Sequence, residues 1–224
     1  MGVMDIAEIV ENYRSVLERI HKAAERSNRD PKSIKLIAVS KTVSAQKIRQ
    51  AVECGALDFG ENRLQEAQEK MDDLRPLGLT WHFIGHIQTN KAKKVAECFD
   101  WIHSVDRIDV ADKLGRTTPK LLSVLLEVKL HDEPNKSGAA VSDLPELIAA
   151  VRRYESLDLR GLMAVPPFLD NPEEVRPYFR RLRELSNQHG LKELSMGMTH
   201  DFEVAIEEGA TMVRVGTGLF GKRG

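Results

Sequence analysis

The chain has 224 residues, 42% of them hydrophobic and 30% charged, with a formal net charge of −1. This is the balance of a soluble globular protein with enough chain for one sizeable core. It supplies no basic surface for nucleic acid or for an acidic membrane.

Residues 3–26 repeat apolar positions at Ile6, Ile9, Val10, Tyr13, Val16, Leu17 and Ile20. Those steps of three and four predict an amphipathic helix ahead of the first strand, able to cover a barrel's bottom or pack on its side. Strand one is expected at Ile34–Val39, followed by Ser40-Lys41-Thr42. Ser44 starts a helix that places Ile48, Ala51 and Val52 inward and stops at Gly55. A short strand two, Ala56–Gly60, leads through Glu61-Asn62-Arg63 into a helix broken by Pro76 and Gly78. Strand three, Thr80–Ile84, is followed by Gly85-His86 and a helix to about Phe99. Strand four is Trp101–Ser104, and a helix follows from about Arg107. Strand five is the run Leu121–Leu130, and the polar loop His131–Ala140 contains Lys136-Ser137-Gly138.

Ser142 is the expected cap of the next helix. Strand six is Leu159–Val165, ended by Pro166-Pro167. Asn171-Pro172-Glu173-Glu174 has the form of a helix start, so Pro177 marks either a kink or the true beginning of the long helix. Strand seven is about Glu193–Met196, Thr199 is the expected cap of a helix ended by Gly209, and strand eight is Thr211–Val215. Eight strands with helices between them predict a single-domain (β/α)8 barrel over residues 1–224. An open doubly wound sheet is the rival architecture.

Cys54 and Cys98 are too few for a disulfide framework or a cysteine zinc site and fit a reducing compartment. The longest apolar run, Leu121–Val128, is interrupted by Glu127 and cannot span a bilayer. The acidic N-terminus does not resemble a signal peptide, so a cytosolic protein is expected. His82 and His86 span a strand and its turn, which is no helical metal pair. The basic runs Lys91–Lys94 and Arg180–Arg183 fall in helical patterns and are expected to be solvated faces.

The chemistry converges on Lys41. It follows an apolar strand and so stands at the carboxyl rim, where α/β barrels carry their sites. Apolar neighbours disfavour the ammonium, and a neutral amine attacks carbonyls. In a closed barrel strand eight lies beside strand one, which brings the loops after strands seven and eight to the same rim. Ser195-Met196-Gly197-Met198-Thr199 offers hydroxyls and backbone N–H groups, and Gly216-Thr217-Gly218 allows a ligand close approach to the backbone. Arg214 lies two residues before Gly216 on the same strand. An amine beside an anion site suits a phosphorylated carbonyl compound. Two such ligands fit: a sugar phosphate in a lysine-dependent aldolase, or pyridoxal 5′-phosphate (PLP).

Seven segments carry a closer likeness: Ala38–Thr42, Phe59–Asn62, Trp81–Gln88, Lys136–Gly138, Gly161–Ala164, Ser195–Met198 and Arg214–Thr217. In this order, across nearly the whole chain, they resemble the PLP homeostasis proteins. These are the YggS/PROSC-type relatives of the alanine racemase N-terminal barrel, a fold-type III PLP-binding TIM barrel. The resemblance implies Lys41 as the Schiff-base lysine, with Ser195, Gly216 and Thr217 on the phosphate. It implies Arg214 facing the pyridine nitrogen, Asn62 and Met163 lining the ring, and His86 at the rim. Lys129 departs from the asparagine expected there in many relatives. The implied role is PLP binding in vitamin B6 homeostasis without established turnover, with PLP-dependent apoenzymes as recipients and a monomer as the expected state. The alternative is a fold-type III enzyme such as an amino-acid racemase. Against it, Tyr13, Tyr154 and Tyr178 all fall in predicted helices, away from the rim where a second acid–base group would be needed.

Overall fold

A computed structural model describes residues 6–131 and 137–221. Eight strands, β1 (Lys35–Val39), β2 (Asp58–Glu61), β3 (Thr80–Phe83), β4 (Trp101–Val105), β5 (Leu122–Glu127), β6 (Leu157–Met163), β7 (Glu193–Met198) and β8 (Met212–Val215), close into a barrel in sequence order. Every neighbouring pair is parallel. The seam is the β1–β8 pair, with Ile37 opposite Arg214 and Ala38 opposite Val215.

Between the strands run α2 (Ala45–Glu53), α3 (Leu64–Leu74), α4 (Ala92–Cys98), α5 (Ile108–Thr117), α6 (Leu144–Arg152), α7 (Arg176–Gln188) and α8 (Phe202–Glu207). Among the described residues, β8 is followed by the short α9 (Thr217–Phe220). The place of an eighth outer helix is taken by α1 (Ile6–Arg26), which packs on the barrel's side against α8, α9 and α2. Its buried stripe Ile9, Tyr13, Val16 and Ile20 joins the main core. Polar clasps fasten it: Arg29 just beyond the helix donates to the carbonyls of Ile206 and Ala210, both at 2.8 Å, and Arg19 pairs with Glu203 at 2.6 Å. Helix α1 and Arg29 are thus tied to the α8–α9 region.

The larger apolar core lies between sheet and helices. Inside the barrel the apolar packing shrinks to Ile37, Leu125, Met163 and Met212, with Trp101 against them. Buried polar side chains, among them Ser195, His82, His103 and Arg214, fill much of the remaining interior. Glycine at 197 is required twice over. Its φ is +90°, and a Cβ there would sit 2.6 Å from the Ala205 Cβ, so this close approach of β7 to α8 admits no side chain.

Several boundaries differ from expectation. Strand β5 ends at Glu127 and β6 begins at Leu157, each displaced toward the N-terminus. Ser142 caps no α-helix; it lies within a 3₁₀ turn, Val141–Asp143, and donates to Asp143 Oδ1 at 2.8 Å. Asn171 caps a separate 3₁₀ turn, Pro172–Val175, so Pro177 belongs to the first turn of α7 and does not kink it. Thr199 is not a cap either, because β7 continues to Met198 and α8 starts after Asp201. The Asp201 carboxylate instead accepts from the Met198 N–H at 2.6 Å. No helix among the described residues is long and apolar enough to cross a membrane.

If α1 stands in for the eighth outer helix, Ile20→Ala should behave as a core truncation. It is expected to cost about 2–5 kcal/mol of unfolding free energy, measured by urea denaturation.

Candidate functional site

Alternation along β1 sends Ile37 and Val39 into the barrel, and the chain then turns through Ser40-Lys41-Thr42. Thr42 adopts a left-handed backbone with φ 64°, unfavourable for a β-branched residue. Both flanks of Lys41 are clamped to hold this turn. Ser40 Oγ donates to Glu61 Oε1 at 2.7 Å. Lys70 Nζ donates to the Ser40 carbonyl at 2.7 Å, to Glu61 at 2.9 Å and to Glu66 at 2.6 Å. The Glu66 carboxylate accepts the Thr42 N–H. Burial pushes the Glu61 carboxyl up, against the hydrogen bonds from Ser40 and Lys70. Burial also opposes charge on Glu66, but Lys70 and the Thr42 amide outweigh it and hold that carboxyl low.

Two cavities meet at Lys41. One, about 310 Å³, is lined by Val39, Lys41, Ile84, Pro167, Phe168, Met198, Thr199, Arg214, Gly216 and Thr217. The other, about 280 Å³, shares Val39, Lys41, Gly216 and Thr217 and extends over Ser44, Lys47 and Phe220. Opposite the lysine, Thr217 Oγ1 lies 3.3 Å from Thr199 Oγ1, which also accepts the Gly218 N–H at 3.4 Å. Two hydroxyls and nearby backbone N–H groups are the donors an anion needs.

Arg214 closes the floor of the larger cavity. Its Nη1 donates to the Ser195 carbonyl at 2.7 Å and to Ser195 Oγ at 2.6 Å, and its Nη2 donates to the Ala164 carbonyl at 3.1 Å. Burial lowers its pKa to about 10, opposed by the charges of Asp201 and Glu127. It is therefore a cation at neutral pH. Of its five N–H groups, two carry no hydrogen bond among the described residues.

Lys41, Arg214, Gly216 and Thr217 are thus brought to one cavity. The other predicted site residues are not. Ser195 is 0% exposed; its hydroxyl is sealed beneath Arg214 and bonded to His103 Nδ1 at 2.8 Å. It stands four residues before Thr199, at about 3.3 Å of strand each, too deep to reach the rim. Met163 is buried in the interior cluster with Ile37 and Leu125. Asn62 and His86 line a neighbouring groove with Arg63, Gln88 and Lys91. There Asn62 Oδ1 is buried without a partner, and the exposed His86 lies 3.6 Å from Asp106. Lys129 lines a side pocket with Glu127, His131 and Ser137. Burial raises the Glu127 carboxyl, which accepts from Ser137 at 2.7 Å. Lys136 lies outside the described residues.

Thr199, expected both in the hydroxyl-bearing loop after strand seven and as a helix cap, lines the cavity and caps no helix. Phe168, 73% exposed, was missed altogether; its ring lies tilted 5.2 Å from that of His200, and both line the cavity. No group of histidine, cysteine or carboxylate side chains able to hold a metal occurs among the described residues.

PLP fits this donor set. The aldehyde, phosphate and ring nitrogen of PLP would find counterparts in the Lys41 amine, the Thr199–Thr217–Gly218 corner and an Arg214 N–H. Residues 5–224 match the family model described as alanine racemase, N-terminal domain. A protein of Aquifex aeolicus called pyridoxal phosphate homeostasis protein is 47% identical over 222 residues, covering 95% of this chain and 97% of that one. The structure of PipY from Synechococcus elongatus with PLP bound superposes with TM-score 0.80 at 41% identity, over 92% of this chain and 100% of the other. Alanine racemase of Corynebacterium glutamicum, at 20% identity and TM-score 0.72, covers 98% of this chain and 62% of its own and shares the fold.

The clamp makes Lys70 the sensitive point. Lys70→Ala leaves Glu61 buried without its counter-charge, bonded only to Ser40 among the described residues, and is expected to cost about 3–5 kcal/mol at neutral pH. Glu61 has a folded pKa above its unfolded value, so the folded state binds the extra proton between the two. The loss should therefore shrink as pH falls through the folded pKa, which urea titrations of both proteins at several pH values will show.

Proposed function

This chain belongs to the alanine racemase N-terminal domain family and, within it, to the pyridoxal phosphate homeostasis proteins; from that membership we propose that it binds PLP at Lys41 and holds it for delivery, without turning over a substrate of its own. The observation that carries this is the meeting of Lys41, Thr217 and Arg214 around one cavity. PLP supplies an aldehyde that reacts with amines and a ring that can draw electrons from a bound carbon. Lys41 Nζ is the group that bonds the aldehyde, and its turn is held by the Ser40–Glu61–Lys70–Glu66 clamp. Thr199, Thr217 and the Gly218 amide orient the phosphate. The hydroxyl of Thr199 takes the place first assigned to Ser195.

Arg214 sets the electronic character of the site. Its pKa of about 10 means that it keeps its protons at neutral pH. It therefore donates a hydrogen bond to the ring nitrogen without transferring a proton. An unprotonated ring is a weaker electron sink, which suits holding over catalysis. Racemisation would also need an acid–base group on each face of the bound substrate. Tyr13 lies in α1, Tyr178 in α7, and Tyr154 in the turn after α6, bonded to Asp112 at 3.2 Å. None of them lines the Lys41 cavity. The two cysteines are free, in keeping with a reducing cytosol, and PLP-dependent apoenzymes are the recipients we envisage.

Protein incubated with PLP is expected to gain visible absorbance that survives dialysis, and Lys41→Ala to lose it. Free amino acids in deuterated water should keep their α-protons in the presence of the loaded protein. Exchange well above that given by free PLP would favour the racemase alternative.

A further inference from the structure

The interior of this barrel is crossed by an unbroken hydrogen-bonded chain of side chains. From the rim inward, Arg214 Nη1 meets Ser195 Oγ at 2.6 Å and Ser195 Oγ meets His103 Nδ1 at 2.8 Å. His103 Nε2 meets His82 Nδ1 at 3.0 Å, and His82 Nε2 meets Asp58 Oδ1 at 2.9 Å. Asp58 opens β2 and Lys35 opens β1, so the chain ends at the opposite mouth of the barrel, where Lys35 Nζ donates to the same Asp58 oxygen at 2.7 Å. Ser195, His82 and His103 are fully buried. Barrel interiors are ordinarily filled with branched apolar side chains. Burying two imidazoles there is costly unless every polar atom is satisfied, and here each one is.

The ends of the chain fix the direction of every bond in it. A guanidinium can only donate, and an ionised carboxylate can only accept. Burial opposes charge on Asp58, but His82 and Lys35 outweigh it and keep the carboxyl below its ordinary range. Burial also lowers the pKa of both imidazoles, outweighing Asp58 at His82 and acting most strongly at His103, where His82, Arg214 and Lys35 add to the effect. Ser195 therefore accepts from Arg214 and donates to His103. His103 then carries its proton on Nε2 and donates to His82, which carries its own on Nε2 and donates to Asp58. Reversing the chain needs a second proton on His82 and leaves the Ser195 hydroxyl hydrogen without an acceptor. Other charged groups act on the chain: Asp100 on His82, and Asp201 and Glu127 on Arg214.

We propose that Asp58, His82, His103 and Ser195 are positioning residues for Arg214: by running one way, their hydrogen bonds pin the guanidinium in one orientation and leave its two unused N–H groups for the ligand. The role of those N–H groups rests on PLP being the ligand. Asp58, at the far mouth, is the distal counter-charge that polarises the whole chain. A substitution there is thereby felt at the cofactor end without touching it.

The test has two parts. Nitrogen-15 NMR of the protein without PLP, at about pH 6, where a free imidazole is largely protonated, should show His82 and His103 neutral with the proton on Nε2. In Asp58→Ala that pattern should be lost at His82. In the second part, Ser195→Ala is expected to weaken PLP binding roughly tenfold, the scale of a lost hydrogen bond to a charged group. It should also move the pH midpoint of the visible band. Ser195→Thr, which keeps the hydroxyl, should restore both, and Met212→Leu, an interior change off the chain, should alter neither. The proposal is overturned if either imidazole is charged or carries its proton on Nδ1, or if Ser195→Ala binds PLP with unchanged affinity and midpoint. A wild-type protein that takes up no PLP refutes the ligand assignment and, with it, the purpose given to the chain. The NMR result, which needs no PLP, tells that failure apart from failure of the chain itself.

Discussion

The pairing of β8 with β1 is the constraint on which the site depends. Those strands lie at opposite ends of the sequence, and their register sets Ile37 against Arg214 and Ala38 against Val215. Each strand then runs on into its own rim turn, Ser40-Lys41-Thr42 from β1 and Gly216-Thr217 from β8. Closing the ring therefore delivers the amine and the anion donors to one place. The same closure explains α1. Helix α9 is a single short turn beside the seam, and α1 packs there against α8, α9 and α2.

The barrel's interior shows a balance between packing and polarity. A short apolar plug of Ile37, Leu125, Met163 and Met212 is all that the inside retains of an ordinary core. Beside it, Arg214 is a buried cation whose direct partners are two carbonyls and a hydroxyl, not a carboxylate. Such an arrangement is tolerated because three of the five N–H groups are hydrogen-bonded and the nearby acids, Asp201 and Glu127, favour the charge. Direct ion pairing would hold the guanidinium more firmly but would use up the N–H groups left for a ligand. The structure keeps the cation short of full satisfaction at the rim and makes up the difference deeper in the barrel.

The architecture was legible in the sequence because alternating strand and helix patterns repeat eight times with glycine and proline stops. Lys41, Gly216 and Thr217 were legible for the same reason: each directly follows a strand. Ser195 was expected at the rim with Thr199 but lies deeper, because β7 runs to Met198, beyond its apolar run, and Gly197 there looks like the start of a turn. The actual role of Gly197, a strand glycine at φ +90° against α8, leaves no mark in composition. His82 and His103 looked unremarkable in sequence. Their meaning comes from pairing across β2, β3, β4 and β7, which no local pattern records. Asn62 and His86 stand at the correct rim but turn into the next groove, a choice made by side-chain packing rather than by chain position.

Reduction of the PLP-loaded protein with borohydride, followed by peptide mapping, tests the central claim most directly. The account predicts one pyridoxyl group per chain, carried on Lys41. Modification spread over surface lysines, or absent from the Lys41 peptide, would contradict it.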